Sequence, residues 1–178
     1  FDSATSSVDV QGSHVSFKNF AVLRSDSKIE GSGAYDFATK TIQLKMAGSN
    51  FDVSELAALE HSQVTVGGKL DFSAEATGTT TQPEVTAHLH LRSITFNEEV
   101  AGDYLIDATT HGPDLRLTGR SDFKTAELSM DGSVRLRDQW PAHIDFHFAR
   151  LDIDSFLETY LRGHITGHSA VAGDLVLQ

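Results

Sequence analysis

Histidines are the residues of this chain whose type and spacing come closest to forming a metal site. His143, Asp145 and His147 alternate along one stretch, so a β-strand would place all three on the same face. His88 and His90 repeat that spacing. Imidazole and carboxylate groups are common zinc ligands. The residues between them are apolar, however, so the histidines would project into solvent, where nothing would hold their rings in place. We therefore expect a solvated polar face and no bound metal.

Other arrangements that could support catalysis are weak. His164 and His168 lie four apart but lack the glutamate and the helical context of a zinc hydrolase motif. Asp71 and Glu75 lie in strand-like sequence. We expect their carboxylates to face solvent rather than to converge as a catalytic acid and base. No nucleophile elbow, phosphate loop or dinucleotide fingerprint is present, and the absence of cysteine excludes thiolate ligands and disulfides. We expect a non-enzymatic chain without a cofactor.

The charge balance narrows the choice of partners. The chain has 178 residues and a net charge of −11, with only 14 lysines and arginines along its whole length. Binding to a phosphate backbone depends on clustered basic side chains, so a nucleic-acid partner is not expected. Anionic membrane surfaces are disfavoured for the same reason. The length is compatible with one domain.

The elements that position these residues are predicted to be strands. Apolar side chains recur at every second position, which is typical of strands with one buried face and one wet face, and clusters of Gly, Asp, Asn and Pro separate the runs. Antiparallel neighbours follow, because parallel strands would need crossover helices that the sequence lacks. The residues expected to line the apolar face are Val64, Val66, Leu70, Phe72, Val85, Leu89, Leu91, Tyr104, Ile106, Leu128, Met130, Val134, Leu136, Ile144, Phe146 and Phe148.

Two stretches are predicted to be short helices. Ser54 can cap a helix over residues 55–60, and Asp154 can cap one over residues 155–162. The same stretches mark an internal repeat, in which residues 12–78 correspond to residues 112–173. The sequence therefore predicts one repetitive domain over residues 1–178. Because it begins abruptly in strand-like sequence without a signal peptide, we expect a fragment of a longer protein.

The repeat contains motifs that resemble a known family. They are Ile29-x-Gly31-x-Gly33-x-Tyr35-x-Phe37, Phe51-Asp52-Val53-Ser54-x-Leu56, Val66-x-Gly68-x-Leu70, and Pro83-x-Val85-x-Ala87-x-Leu89, with a second copy from Leu151-Asp152-Ile153 to Gly173. In these features the chain resembles the AsmA/TamB superfamily of Gram-negative envelope proteins. The resemblance implies a periplasmic protein anchored in the inner membrane and built as an elongated antiparallel meander curled into a β-taco. Such a groove serves phospholipid transport between the membranes or outer-membrane assembly.

Two functions remain open at this point. The first is a lipid conduit, in which the apolar face holds acyl chains. Its partners would be phospholipid or another acyl-chain ligand, adjoining repeats of the same chain and an outer-membrane protein. The second is a structural or adhesin-like scaffold, in which a closed β-sandwich buries the same face and binds no lipid. The two differ in whether the apolar face is open.

Overall fold

The chain forms one antiparallel β-sheet. A computed structural model describes residues 2–55, 65–97, 99–124, 126–136, 140–152 and 170–177. Its eleven strands lie side by side in the order of the chain, so every strand pairs with its sequence neighbours. The strands are β1 (Ser3–Gln11), β2 (His14–Arg24), β3 (Ser27–Asp36), β4 (Thr41–Asp52), β5 (Val66–Thr79), β6 (Gln82–Phe96), β7 (Glu99–His111), β8 (Asp114–Phe123), β9 (Glu127–Arg135), β10 (Ala142–Asp152) and β11 (Ala170–Leu177). This order confirms the predicted all-β antiparallel meander.

Tight turns connect several of these strands. Gly12 lies in the turn between β1 and β2 with φ of 58°, and Gly112 lies in the turn between β7 and β8 with φ of 64°. A residue without Cβ adopts this backbone conformation without steric strain. The predicted internal repeat aligns these two glycines with each other, and each of them lies in a turn between two neighbouring strands.

The predicted helices are not seen in the described residues. Val53–Glu55 forms a single 3-10 turn after β4, and no α-helix occurs within the described ranges. The side chain that caps this turn is Asp52 rather than Ser54: its Oδ1 accepts hydrogen bonds from Ser54 N at 3.0 Å and from Ser54 Oγ at 2.6 Å. Residues 56–60, and the second predicted helix over residues 154–162, lie outside the described part of the chain.

The sheet is a single open layer. Within the described ranges β1 pairs only with β2 and β11 only with β10, so the sheet does not close on itself. No second sheet lies against either face in this part of the chain. A closed β-sandwich, in which two sheets bury their inner faces against each other, is therefore not the architecture of the described residues.

Bulges interrupt the alternation in four of the even-numbered strands. In each case one extra residue lies between two apolar positions: Phe17 and Phe20, Gly48 and Phe51, Leu91 and Ile94, and Phe148 and Leu151. Three residues at these bulges have positive φ, namely Asn19 at 51°, Asn50 at 62° and Ser93 at 50°. Because a bulge adds one residue and bends its strand, those of β2, β4 and β6 return the following apolar side chain to the same face.

The buried core is small. Among the described residues only Val53, Ile94, Tyr104, Ala108, Ala126 and Met130 are buried hydrophobics, and no charged or polar side chain is buried. Ile94, Tyr104 and Met130 form one cluster, against which half-buried neighbours such as Ile106 and Phe146 pack. A single layer has only one side of each residue covered by neighbours, which explains why most apolar side chains remain half-exposed.

Candidate functional site: an open apolar face

Strand register assembles one continuous apolar face across the sheet. Directly paired residues of antiparallel strands point to the same face. Successive pairs connect Val22, Ile29, Gly48, Phe72, Leu89, Ile106, Gly119, Met130 and Phe146 in one row from β2 to β10. We call this set the central row, and the whole side of the sheet that carries it the apolar face.

Most residues predicted to line the face are placed on it by this register. Leu70, Leu91 and Tyr104 pair in a second row, and Ile144 and Phe148 lie two residues on either side of Phe146. Val66, Leu128 and Val134 share the same side, Val66 and Leu128 packing against the buried cluster and Val134 pairing with Leu115. Val85 and Leu136 line a cleft at the edge of the sheet, Leu136 lying just beyond the end of β9. Val64 lies outside the described residues.

The face also includes residues that the sequence analysis did not assign to it. They are Phe17, Phe20, Leu44, Met46, Ile94, Phe96, Leu117 and Phe123. Several of them follow a bulge, where the spacing between apolar residues changes from two to three. For Phe20, Ile94 and Phe96, which follow a bulge, that change in spacing was the signal that could have extended the face.

Aromatic rings cover glycines on the apolar face. A Cβ added to Gly33 would lie 2.7 Å from the ring of its cross-strand partner Phe17, and one added to Gly48 would overlap the rings of Phe72 and Phe51. The rings of Phe51 and Phe72 lie 5.8 Å apart, centroid to centroid. Each ring therefore fills the space above a glycine, where a side chain is missing. The strands present a continuous apolar surface as a result.

The opposite face is polar and carries the histidines. His88 Nδ1 lies 2.5 Å from Asp107 Oδ1, and His90 Nε2 lies 2.8 Å from Asp103 Oδ2, each pair joining β6 to β7. His143 Nε2 lies 3.1 Å from Asp145 on its own strand. No group of three or more histidine and acidic side chains within the described ranges is arranged to hold a metal ion. His164 and His168 lie outside these ranges.

A hydrogen-bond network on the polar side secures the bulge of β4. Arg92 donates from Nε to Asp71 at 2.5 Å and from Nη2 to Asn50 Oδ1 at 2.8 Å, while Asn50 N donates to Asp71 Oδ1 at 2.9 Å. The bond from Arg92 lowers the pKa of Asp71, assisted by the backbone bond from Asn50. The carboxylate of Asp71 thus binds both the backbone of Asn50, at the bulge of β4, and the guanidinium of Arg92 on β6.

The bulge of β6 is held in the same manner. Ser93, the residue with positive φ, donates its backbone N–H to Asp103 Oδ1 of β7 at 2.8 Å. That bond, together with the one from His90, lowers the pKa of Asp103. In both bulges an aspartate of the following strand accepts the N–H that the ladder leaves unpaired, which satisfies the requirement that backbone donors find partners.

Comparison with known proteins adds no assignment to this geometry. None of the helical residues within the described ranges forms a segment long and apolar enough to cross a membrane. The chain matches no protein-family model, and neither a curated protein nor a solved structure is significantly similar to it. The resemblance to the AsmA/TamB superfamily therefore stays a prediction.

Proposed function

We propose that the apolar face binds the acyl chains of phospholipids, and that the chain is a non-catalytic segment of a lipid conduit in a bacterial envelope. In this proposal the sheet is the wall of a β-taco, with the apolar face inside its groove. The full protein would lie in the periplasm, anchored in the inner membrane. Adjoining repeats would continue the wall, and an outer-membrane protein would be a further partner.

A single observation carries the proposal: the apolar face runs across the strands from β2 to β10, and apart from the buried Gly48, Gly119 and Met130 the residues of its central row are left partly exposed. A contiguous apolar surface that the rest of the protein leaves partly exposed is typical of a site that another molecule covers. The central row crosses the strands, so a chain lying along it would meet one apolar or glycine position at every strand. Strands are spaced about 4.8 Å apart, so this row gives a linear ligand repeated contacts without an interruption.

The binding energy of an acyl chain on this face would be spread over many small contacts, which allows the chain to slide. Removing one CH₂ group from water is worth about 0.8 kcal/mol, so about ten such groups would contribute roughly 8 kcal/mol before the ordering of the chain is subtracted. No single residue provides most of that sum, because the face offers similar aliphatic and aromatic contacts at successive strands. A bound acyl chain could therefore shift along the sheet without losing all of its contacts at once.

The scaffold alternative lacks its second layer. It requires that the apolar side chains be buried against another sheet, whereas the described residues form one open sheet. A scaffold that binds no ligand would leave the exposed apolar surface of Phe72 and Leu89 in contact with water. The open face thus favours a ligand over a self-contained core.

The test is the lipid content of the purified protein. Lipid extracted after purification without detergent should contain phospholipid, identified by mass spectrometry. Phe146→Asp introduces a charge into the central row and should strongly reduce the recovered phospholipid. Ser133→Asp, which introduces the same charge at an exposed position of β9, is the control and should retain it. Lipid-free wild-type protein, or equal recovery from both variants, would contradict the proposal.

A further inference from the structure

A cleft of about 850 Å³ opens at the edge of the sheet between the β5–β6 hairpin and the β7–β8 hairpin. Ligand sites typically enclose about 300 to 1,000 Å³. Five consecutive residues of β6, Gln82 to Thr86, line this cleft. Because consecutive residues of a strand point to opposite faces, a cleft lined by all five lies beside the strand rather than on one face. It therefore connects the apolar face with the polar face.

The cleft exists because β6 and β7 separate at this edge. Their backbone pairing ends at Thr86 and Thr109. Beyond that pair a side chain replaces the ladder: Thr110 Oγ1 accepts a hydrogen bond from Val85 N at 2.8 Å and donates one to Val85 O at 3.3 Å. The residues of β6 before Val85 pair with β5 alone, as in the pair of Gly78 with Pro83. A notch in the sheet results.

The lining of the cleft changes in character from one face to the other. Pro83 and Val85 belong to the apolar side, since they pair with Gly78 and Ala76 in line with the apolar rows of β5. Thr77, Glu84 and Thr86 alternate with them and belong to the polar side. No lysine or arginine is among the residues that line this cleft. An anionic group would find hydroxyl donors there but no unpaired positive charge among the lining residues.

Glu84 gives the polar side its charge. Glu75 also lines the cleft, but its carboxylate is paired with Lys45 Nζ at 2.7 Å. Glu84 is exposed and forms no ion pair within the described part of the chain. An ammonium group entering the cleft would therefore meet an available carboxylate, and a neighbouring phosphate could accept hydrogen bonds from the threonine hydroxyls.

We propose that this cleft holds the head group of a zwitterionic phospholipid with a terminal ammonium, whose acyl chains lie on the apolar face beside Val85. This inference rests on the proposed function, because it specifies which lipid the same face takes. The head group passes through the notch to the polar side while the acyl chains stay on the apolar side. Each part of the lipid therefore contacts residues of matching polarity.

The test compares two fluorescent phospholipids with identical acyl chains, phosphatidylethanolamine and phosphatidylglycerol, titrated against the full chain. Wild-type protein should bind the ethanolamine lipid more tightly, by about two- to fivefold, the range expected of one solvent-exposed ion pair. Glu84→Gln should abolish that preference while both lipids still bind. Glu99→Gln, which removes an exposed carboxylate at the other end of the strands, should leave the preference unchanged.

The outcomes separate this inference from the proposed function. Equal binding of the two lipids by wild-type protein, or a preference that survives Glu84→Gln, would overturn the head-group site and leave acyl binding intact. Failure of both lipids to bind would overturn the proposed function, and the head-group site with it.

Discussion

At the scale of single residues, Tyr104 is the side chain whose surroundings fit its chemistry least. Only 7% of it is exposed, and its hydroxyl is buried without a hydrogen-bond partner in the described structure. Its hydroxyl end lies over Gly119, and its ring is tilted by 37° against the ring of Phe123 at a centroid distance of 6.3 Å. Burial raises the pKa of the phenol, and the nearby Asp131 adds to the effect. The ring stabilises the sheet, whereas the hydroxyl does not.

Removing that hydroxyl should therefore stabilise the protein. We expect Tyr104→Phe to increase the free energy of unfolding by about 1 kcal/mol, because an unpaired polar group is no longer desolvated. Urea denaturation followed by circular dichroism measures the change. Tyr35→Phe, at a half-exposed tyrosine that contacts Phe37, is the matched control and should have little effect. A clear loss of stability in Tyr104→Phe would show that the hydroxyl has a partner.

Asp71 gives the stability a predictable dependence on pH. Its pKa is lowered in the folded protein by the bond from Arg92, so the folded state favours the ionised form. The resulting stabilisation is complete above the pKa of the unfolded chain, about 3.9, and is lost as the pH falls through the lower folded-state value. We expect Asp71→Asn to lose about 1 to 3 kcal/mol at neutral pH and to lose less than wild type on acidification to pH 3.

The control for Asp71 is Asp131→Asn, which removes an exposed carboxylate that directly opposes Asp145 on β10. Like charges at such a pair repel, so this variant should be as stable as wild type or slightly more stable at neutral pH. Urea midpoints at several pH values measure both variants. An Asp71→Asn variant with the pH profile of wild type would show that Arg92 does not hold this carboxylate.

At the scale of elements, the bulges determine whether the long strands keep one apolar face. Asn50 sits at φ of 62° in β4 and donates to or accepts from Asp71, Arg92 and Asp26. A β-branched residue is strained in that backbone conformation. We expect Asn50→Val to reduce the free energy of unfolding by about 1 to 3 kcal/mol through backbone strain alone, with the lost bonds adding to it.

Gln43→Val is the control for this bulge, because Gln43 is an exposed position in a regular part of β4. Valine is favoured in strands, so the control should be neutral or slightly stabilising in the same urea titration. If Asn50→Val proved as stable as Gln43→Val, the bulge would contribute nothing specific to β4.

The sequence was sufficient to predict the strands but not their irregularities. Alternation identified the run from Val85 to Leu91 as a strand, yet β6 continues to Phe96. Arg92 and Ser93 interrupt the alternation of apolar and polar residues. The end of a strand produces the same interruption in a sequence. The distinction depends on Asp103, a residue of the next strand that accepts the Ser93 N–H. A contact between separate strands cannot be deduced from local spacing.

The Ser54 N-cap was predicted from residue type alone. In the described residues Ser54 lies inside the 3-10 turn Val53–Glu55 and donates to the carboxylate of Asp52, a contact that residue type does not specify. For the candidate site, local patterning predicted most of the apolar residues, because alternation specifies the face directly. The cleft could not be predicted, since it arises from the separation of two hairpins.

At the scale of the whole molecule, an open face and a closed core respond differently to a charge. Leu89 is half-buried in the central row. We expect Leu89→Arg to reduce the free energy of unfolding by no more than about 2 kcal/mol, the share of a leucine's burial that is lost, because the guanidinium can reach water. Thr118→Arg, at an exposed position of β8, is the control. A loss above about 4 kcal/mol for Leu89→Arg would indicate an uncompensated buried charge and a covered face.

The central claim is that acyl chains lie on the apolar face, and site-specific photo-crosslinking in cells tests it most directly. A photoreactive amino acid would replace Leu89 on the apolar face or Thr118 on the polar face, and the crosslinked products would be identified by mass spectrometry. We expect phospholipid adducts at position 89 and few or none at position 118. Adducts of equal yield at both positions, or no lipid adduct at position 89 in folded protein, would contradict the account.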